Sequence, residues 1–191
     1  MRLVAGVDEA GVGPLAGPVV AAAVVMPADC GLVGVDDSKK LNATRRSGLA
    51  DEIRRSARAW RVARAEPSEI DSINIYQATR LAMRRAVLGL GLDPDYLLVD
   101  GRTALDVDLP QEAVVKGDAT CHVIAAASIL AKTARDELMV DFDAEYPGYG
   151  FAEHKGYPTE AHRDAIRRMG PTPIHRRSFT LLPQPRLFDG L

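Results

Sequence analysis

A chain of 191 residues, 47% hydrophobic, 26% charged and carrying a formal net charge of −2, has the composition of a globular protein with one good core. No apolar stretch is long and uncharged enough to span a bilayer and the N-terminus lacks a signal-peptide layout, so a cytoplasmic protein with no membrane partner is expected. The charge balance argues against indiscriminate nucleic-acid binding, yet it is uneven: residues 151–191 hold seven Lys/Arg against four Asp/Glu, a local +3 beside −5 over residues 1–150.

In chain order, Leu3 to Val7 is a short apolar run that reads as a buried strand and delivers the adjacent acids Asp8 and Glu9 into a loop of small residues, Ala10 to Pro18. Val19 to Val25 is small and apolar throughout, the pattern of a strand covered on both faces. Asp36 to Leu41 is a charged turn, and Asn42 is placed to cap a helix running to about Ala57. Alternation around Trp60, Val62 and Ala63 predicts a strand over 59–65. Pro67 to Asp71 begins a turn of helix, and Ile73 to Leu90 continues at helical spacing. Tyr96 to Val99 is a compact strand ended by Asp100-Gly101; Ala113 to Val115 is another, ended by Lys116-Gly117-Asp118. One long helix is predicted from Ala119 to about Phe142, then a Gly- and Tyr-rich loop over 146–158, then a helix capped by Thr159 and reaching Met169. Strands alternating with helices give an α/β fold. Without repeat or linker, residues 1–191 read as a single domain whose last part, about 143–191, is a helical extension. Cys30 and Cys121 show no metal-type spacing, and no framework disulfide is expected.

Three of the apolar strands end in acid: Asp8-Glu9, Asp100 and Asp118. Taken singly, each has a structural account, since Asp-Gly is a common turn pair and Asp118 could cap a helix. Taken together, carboxylates converging at neighbouring strand ends repel unless divalent cations neutralise them. Oxygen-only ligands select Mg²⁺ or Mn²⁺, and two such ions suit a phosphodiester displacement. Strand alternation would send Asp8 and Glu9 to opposite faces, so Glu9 is expected where the strand breaks at Gly11. Asp136 is a rival acid that an ion pair on its own helix explains.

The run Asp8-Glu9-Ala10-Gly11-Val12-Gly13-Pro14-Leu15-Ala16-Gly17-Pro18 resembles the opening of bacterial ribonuclease HII, a type 2 ribonuclease H. Further matching blocks follow in family order: 37–41, 73–79, 99–101, 116–119, 124–132, 154–157 and 175–179. The resemblance implies a ribonuclease H-like mixed sheet flanked by helices, with residues from about 143 onward binding substrate. It implies a metal-dependent endonuclease that hydrolyses the RNA strand of RNA–DNA hybrids. Such an enzyme also cuts 5′ of ribonucleotides embedded in duplex DNA, an activity of DNA repair, and leaves 3′-hydroxyl and 5′-phosphate ends. Asp8, Glu9, Asp100 and Asp118 would be the catalytic and metal-binding acids, holding two Mn²⁺ or Mg²⁺ ions in the reacting complex.

Telling RNA from DNA comes down to the 2′-hydroxyl. By the same resemblance, Gly11-Val12-Gly13 and Tyr157 would sense the ribose; a loop tyrosine covering an apolar edge is the alternative for Tyr157. Lys39 and Lys40 are candidate phosphate contacts, against the simpler account of solvated lysines. Arg176 and Arg177 stay open between a backbone clamp and structural pairing. The family usually has arginine where this chain has Val12, which removes a cationic contact. A non-cleaving or weakly active hybrid-binding paralogue is therefore the alternative reading, and a DNA-only nuclease of the same fold is a third. Gln184, Leu187 and Phe188 resemble the short peptide by which bacterial replication proteins grip the sliding clamp; a tail folded back on the core is the alternative. No assembly motif is evident, and a monomer is expected.

Overall fold

A computed structural model describes residues 2–27, 38 and 41–183. Lys39 and Lys40, and the tail with Gln184, Leu187 and Phe188, lie outside the described residues.

Strands β1 (Val4–Ala10), β2 (Val19–Val25), β3 (Ala59–Ala65), β4 (Tyr96–Asp100) and β5 (Gln111–Val114) form one mixed sheet in the order β3-β2-β1-β4-β5. β1 pairs antiparallel to β2, and β2 to β3, whereas β1–β4 and β4–β5 are parallel. β2 is buried along its whole length, as its small apolar sequence predicts. Its odd residues Val19, Ala21, Ala23 and Val25 join Ala5, Val7, Leu97 and Val99 in a core under α2 (Pro67–Leu88). Its even residues Ala22 and Val24 pack with α1 (Ala43–Ser56) and α4 (His122–Glu145) on the other face. Gly6 is what lets α4 lie so close: a Cβ there would stand 2.3 Å from the Val123 carbonyl carbon.

Local sequence explains most boundaries. The Asn42 side chain accepts the Arg45 N–H and starts α1, as expected. In α2, Pro67 occupies the first turn and Glu66 and Glu69 form a reciprocal cap. The helix is interrupted at Asn74, which has φ 66° and whose side chain accepts from Gln77 N at 3.1 Å, restarting the helix. The predicted helix from Ala119 is two: a single turn, α3 (Gly117–Thr120), then α4 after an extended Cys121. Left-handed Lys116 starts that turn, and the Cys121 N–H closes it on the Gly117 carbonyl. β5 begins at Gln111, whose amide holds the 105–109 loop through Leu105 N (2.6 Å) and Leu105 O (3.0 Å). The expected 146–158 loop contains one short helix, α5 (Phe151–His154), and α6 (Glu160–Met169) is capped by Thr159 as predicted.

A third core joins the glycine loop to the C-terminal elements. Leu15 and Ala16 pack with Met139, Tyr149, Phe151, Ala165, Ile166 and Ile174. No helix among the described residues is long and apolar enough to cross a membrane.

Candidate metal centre and nucleic-acid cleft

The parallel pairing of β1 with β4 ends at Val7↔Val99, so Asp8, Glu9 and Asp100 emerge together at the carboxyl end of the central strands. One oxygen from each of these three carboxylates lies within 4.8 Å of the others. β1 runs on to Ala10, so Glu9 is still within the strand rather than at a break; alternation does not keep it from Asp8, whose Oδ1 accepts the Glu9 N–H at 2.7 Å. Asp8 is only 4% exposed. Burial first, then the Glu9 and Asp100 carboxylates, push its carboxyl well above the usual range, against hydrogen bonds from the Ser128 hydroxyl and the Glu9 N–H. Ser128 in turn shares a hydrogen bond with Ser38 at 2.9 Å. A mutually repelling set of oxygen donors, one buried and two half-buried, fits a hard divalent cation and fits no soft-metal site.

Asp118 is buried in α3 but stands outside the group of three. Its neighbour Gly117 donates its N–H to Asp100 Oδ1 at 2.7 Å, which ties the turn carrying Asp118 to the acid of β4. Asp136 has its own partners, Lys132 Nζ at 2.7 Å and Arg46 Nη2 at 2.8 Å, in a partly buried triad rather than a surface pair.

Gly11, Val12, Gly13 and Tyr157 line one cleft with Glu9, Ala10, Ser38 and Lys132. Glu9 and Val12 also border a second cleft with Ile75, Tyr76, Met83 and Asp100. The Tyr157 ring faces Gly13: a Cβ on that glycine would stand 3.9 Å from Tyr157 Cε1. Gly11 has φ +95°, and a Cβ there would meet Arg135 Nε at 2.0 Å.

Two buried arginines hold this loop. Arg135 donates to the carbonyls of Pro18 (3.2 Å), Ala16 (3.1 Å) and Lys155 (3.1 Å). Arg176 donates to Gly17 O (2.9 Å), Val12 O (2.9 Å) and Gly11 O (2.6 Å). Among the described residues neither meets a carboxylate, and burial, then the nearby Arg135 charge, bring Arg176 down to about 9. Arg176 is thus a clamp on the protein's own loop. Arg177 uses its backbone N–H on Asp71 Oδ2 at 2.9 Å. Ser128 and Arg135 were not singled out by the sequence; their signal is phase, because both share the buried side of α4 with Ala131 and Met139.

The ribonuclease HII family model matches residues 5–182. A ribonuclease HII of Myxococcus xanthus (strain DK1622) is 60% identical over 92% of this chain, and one of Anaeromyxobacter sp. (strain Fw109-5) is 57% identical over 94%. The chain spans 60% and 57% of the length of those two relatives. Among solved structures, the ribonuclease H2 of Pyrococcus horikoshii OT3 superposes with TM-score 0.80 at 27% identity, covering 95% of both chains. The RNase HII in a PCNA:RNase HII complex from Archaeoglobus fulgidus gives TM-score 0.81 at 28% identity, over 98% of this chain and 99% of that one. With its acids at the ends of β1 and β4 and its sequence matched from β1 to beyond α6, this chain belongs to the ribonuclease HII family.

Proposed function

We propose that this protein is a metal-dependent endonuclease that hydrolyses the RNA strand of RNA–DNA hybrids and cuts 5′ of ribonucleotides embedded in duplex DNA. The observation that carries the proposal is the meeting of Asp8, Glu9 and Asp100 beside a cleft lined by the glycine loop and Tyr157. These three acids would hold divalent ions, Mg²⁺ or Mn²⁺, with Asp118 as a further ligand or a support for Asp100. Two ions, when bound, supply an activated water and neutralise charge at the leaving 3′-oxygen. Buried Asp8 is held by its hydroxyl and N–H donors, beside the half-buried Glu9 and Asp100. Gly13 leaves the backbone open to the 2′-hydroxyl, Gly11 makes room beneath the loop for Arg135 while still lining the cleft, and the exposed Tyr157 ring offers a face for the sugar. Lys39 and Lys40 are assigned to phosphates, and residues from about 143 onward to the duplex.

The full set of acids supports cleavage over a hybrid-binding role without chemistry. A sliding-clamp partner for Gln184, Leu187 and Phe188 is supported by their sequence and by the Archaeoglobus RNase HII solved with PCNA. The decisive test is Asp100→Asn on a labelled duplex containing one ribonucleotide, with Mg²⁺ or Mn²⁺ and an all-DNA control. Cleavage should vanish while duplex binding persists; near-normal turnover by the variant would remove Asp100 from the chemistry.

A further inference from the structure

Three buried aromatic groups, Phe151, His162 and His175, pack behind Tyr157 with the half-buried His154 and take no part in the chemistry proposed above. Their hydrogen bonds fix a single arrangement of protons. The Thr172 N–H, which only donates, reaches His175 Nδ1 at 2.9 Å. The neutral His175 ring therefore carries its proton on Nε2, which stands 3.1 Å from His162 Nε2. His162 then accepts at Nε2 and donates from Nδ1 to the Tyr157 carbonyl at 2.9 Å, an atom that only accepts. Both ends of the relay demand the same tautomers. Burial first, then the charge of the other ring, lowers His175 to about 4, so the neutral pair is the resting state.

The two ends of this relay belong to the two sides of the cleft. On one side the Tyr157 carbonyl is held by His162, and the Tyr157 N–H by the His154 carbonyl at 2.9 Å. On the other, His175 bridges to Ala16, the next residue's N–H binds Leu15 O at 2.8 Å, and the Arg176 side chain grips Gly11 and Val12. Adjacent residues thus hold Tyr157 and the glycine loop. We propose that His162 and His175 are positioning residues for ribose discrimination: their mutual hydrogen bond, acting with the Leu15 N–H bond to the Gly156 carbonyl at 2.8 Å and with Arg135 between Ala16 and Lys155, sets the gap between Tyr157 and Gly11-Val12-Gly13. The proposal rests on the assignment of Tyr157 and that loop to the sugar. Small misplacements at such a gap are costly to recognition.

His175→Asn keeps an acceptor for the Thr172 N–H but loses the donor to His162, whereas His175→Gln places an amide N–H where Nε2 was. Binding to a duplex with one ribonucleotide and to its all-DNA counterpart, measured in the Asp100→Asn background, gives the discrimination ratio; kcat and KM on the ribonucleotide duplex are measured with otherwise native protein. His175→Asn should cut the ratio and kcat/KM tenfold or more, and His175→Gln should restore both to within about threefold. In combination with Tyr157→Ala, His175→Asn should add no further loss, the non-additivity of residues acting through one another. An unchanged ratio in His175→Asn, equal damage by Asn and Gln, or multiplied losses in the double variant would overturn the positioning role. If His175→Asn does not fold, His162→Gln, which loses the donor to the Tyr157 carbonyl, is read the same way. If Tyr157→Ala itself leaves the ratio intact, the sugar assignment fails and the role of the pair falls with it. If Tyr157→Ala collapses the ratio and the histidine variants do not, only the role of the pair is overturned.

Discussion

Replacing Asp8 by asparagine should make the metal-free protein more stable and blind to divalent cations. Asn keeps an oxygen for the Glu9 N–H and the Ser128 hydroxyl, so the change removes charge with little change of shape. At an effective dielectric of about 20, unit charges 4.8 Å apart, the outer limit of the spacing here, repel by about 3.5 kcal/mol. Asp8 faces two such neighbours, but protonation caps the penalty at about 4 kcal/mol at pH 7, the cost of protonating an ordinary aspartate there. The variant should gain about 1–4 kcal/mol in EDTA, read at roughly 2–4 °C of Tm per kcal/mol for a domain of this size. Because the folded-state pKa of Asp8 lies above its unfolded value, the wild-type penalty is absent in acid and grows as pH rises through the folded value. The gap in Tm should therefore close as pH falls toward about 4. Mn²⁺ or Mg²⁺ should raise the Tm of the wild type and leave that of Asp8→Asn nearly unchanged. Equal melting temperatures in EDTA, or an equal cation response in both proteins, would refute the reasoning.

Three further outcomes are expected. His175, brought down to about 4, stays neutral in the fold while the unfolded chain protonates near pH 6.5; its stabilisation is complete above that value and is lost as pH falls from about 6.5 to 4, by about 3 kcal/mol. The Asp8 penalty has the opposite slope, so denaturant melts of His175→Gln against its parent should both use the Asp8→Asn background, and identical pH slopes would contradict the assignment. Gly11→Ala forces a Cβ onto Arg135, itself held by three carbonyls, at a φ of +95°; a loss of at least about 2 kcal/mol and of most cleavage is expected, checked by melting and turnover. Val12→Arg changes an exposed side chain whose carbonyl Arg176 already fixes; it should lower KM several-fold, spare kcat and steepen the salt dependence of duplex binding by about 0.9 in log–log slope. A Val12→Arg protein with the wild-type salt slope would show that this position meets no phosphate.

Where hydrophobic phase or a local polar signal decides structure, the sequence is enough. The all-apolar β2, the Asn42 and Thr159 caps and the acids closing β1 and β4 stand where the pattern put them. What it hid were interruptions and long-range partners. Cys121 has no helix-breaking chemistry, yet it is extended between α3 and α4, with its N–H on the Gly117 carbonyl. Gln111 begins β5 because its amide is used by a loop, which no apolar pattern reports. Arg135 sits in a run of charged residues, and its partners are carbonyls far away in the chain. Alternation predicts that Asp8 and Glu9 diverge; a strand end unpaired on its β4 side allows their carboxylates to meet.

Arg176 draws the oxygens of the Gly11 and Val12 peptides toward the interior. In a trans peptide the amide hydrogen points opposite to its oxygen, and the described chain has no cis bond. The amides of Val12 and Gly13 are consequently turned outward, away from the guanidinium. A buried cation thereby presents, on the far side of the chain, a pair of aligned dipoles with their positive ends toward solvent. The polarity of the loop surface is set by a side chain no ligand can touch, and it persists whichever residue occupies position 12.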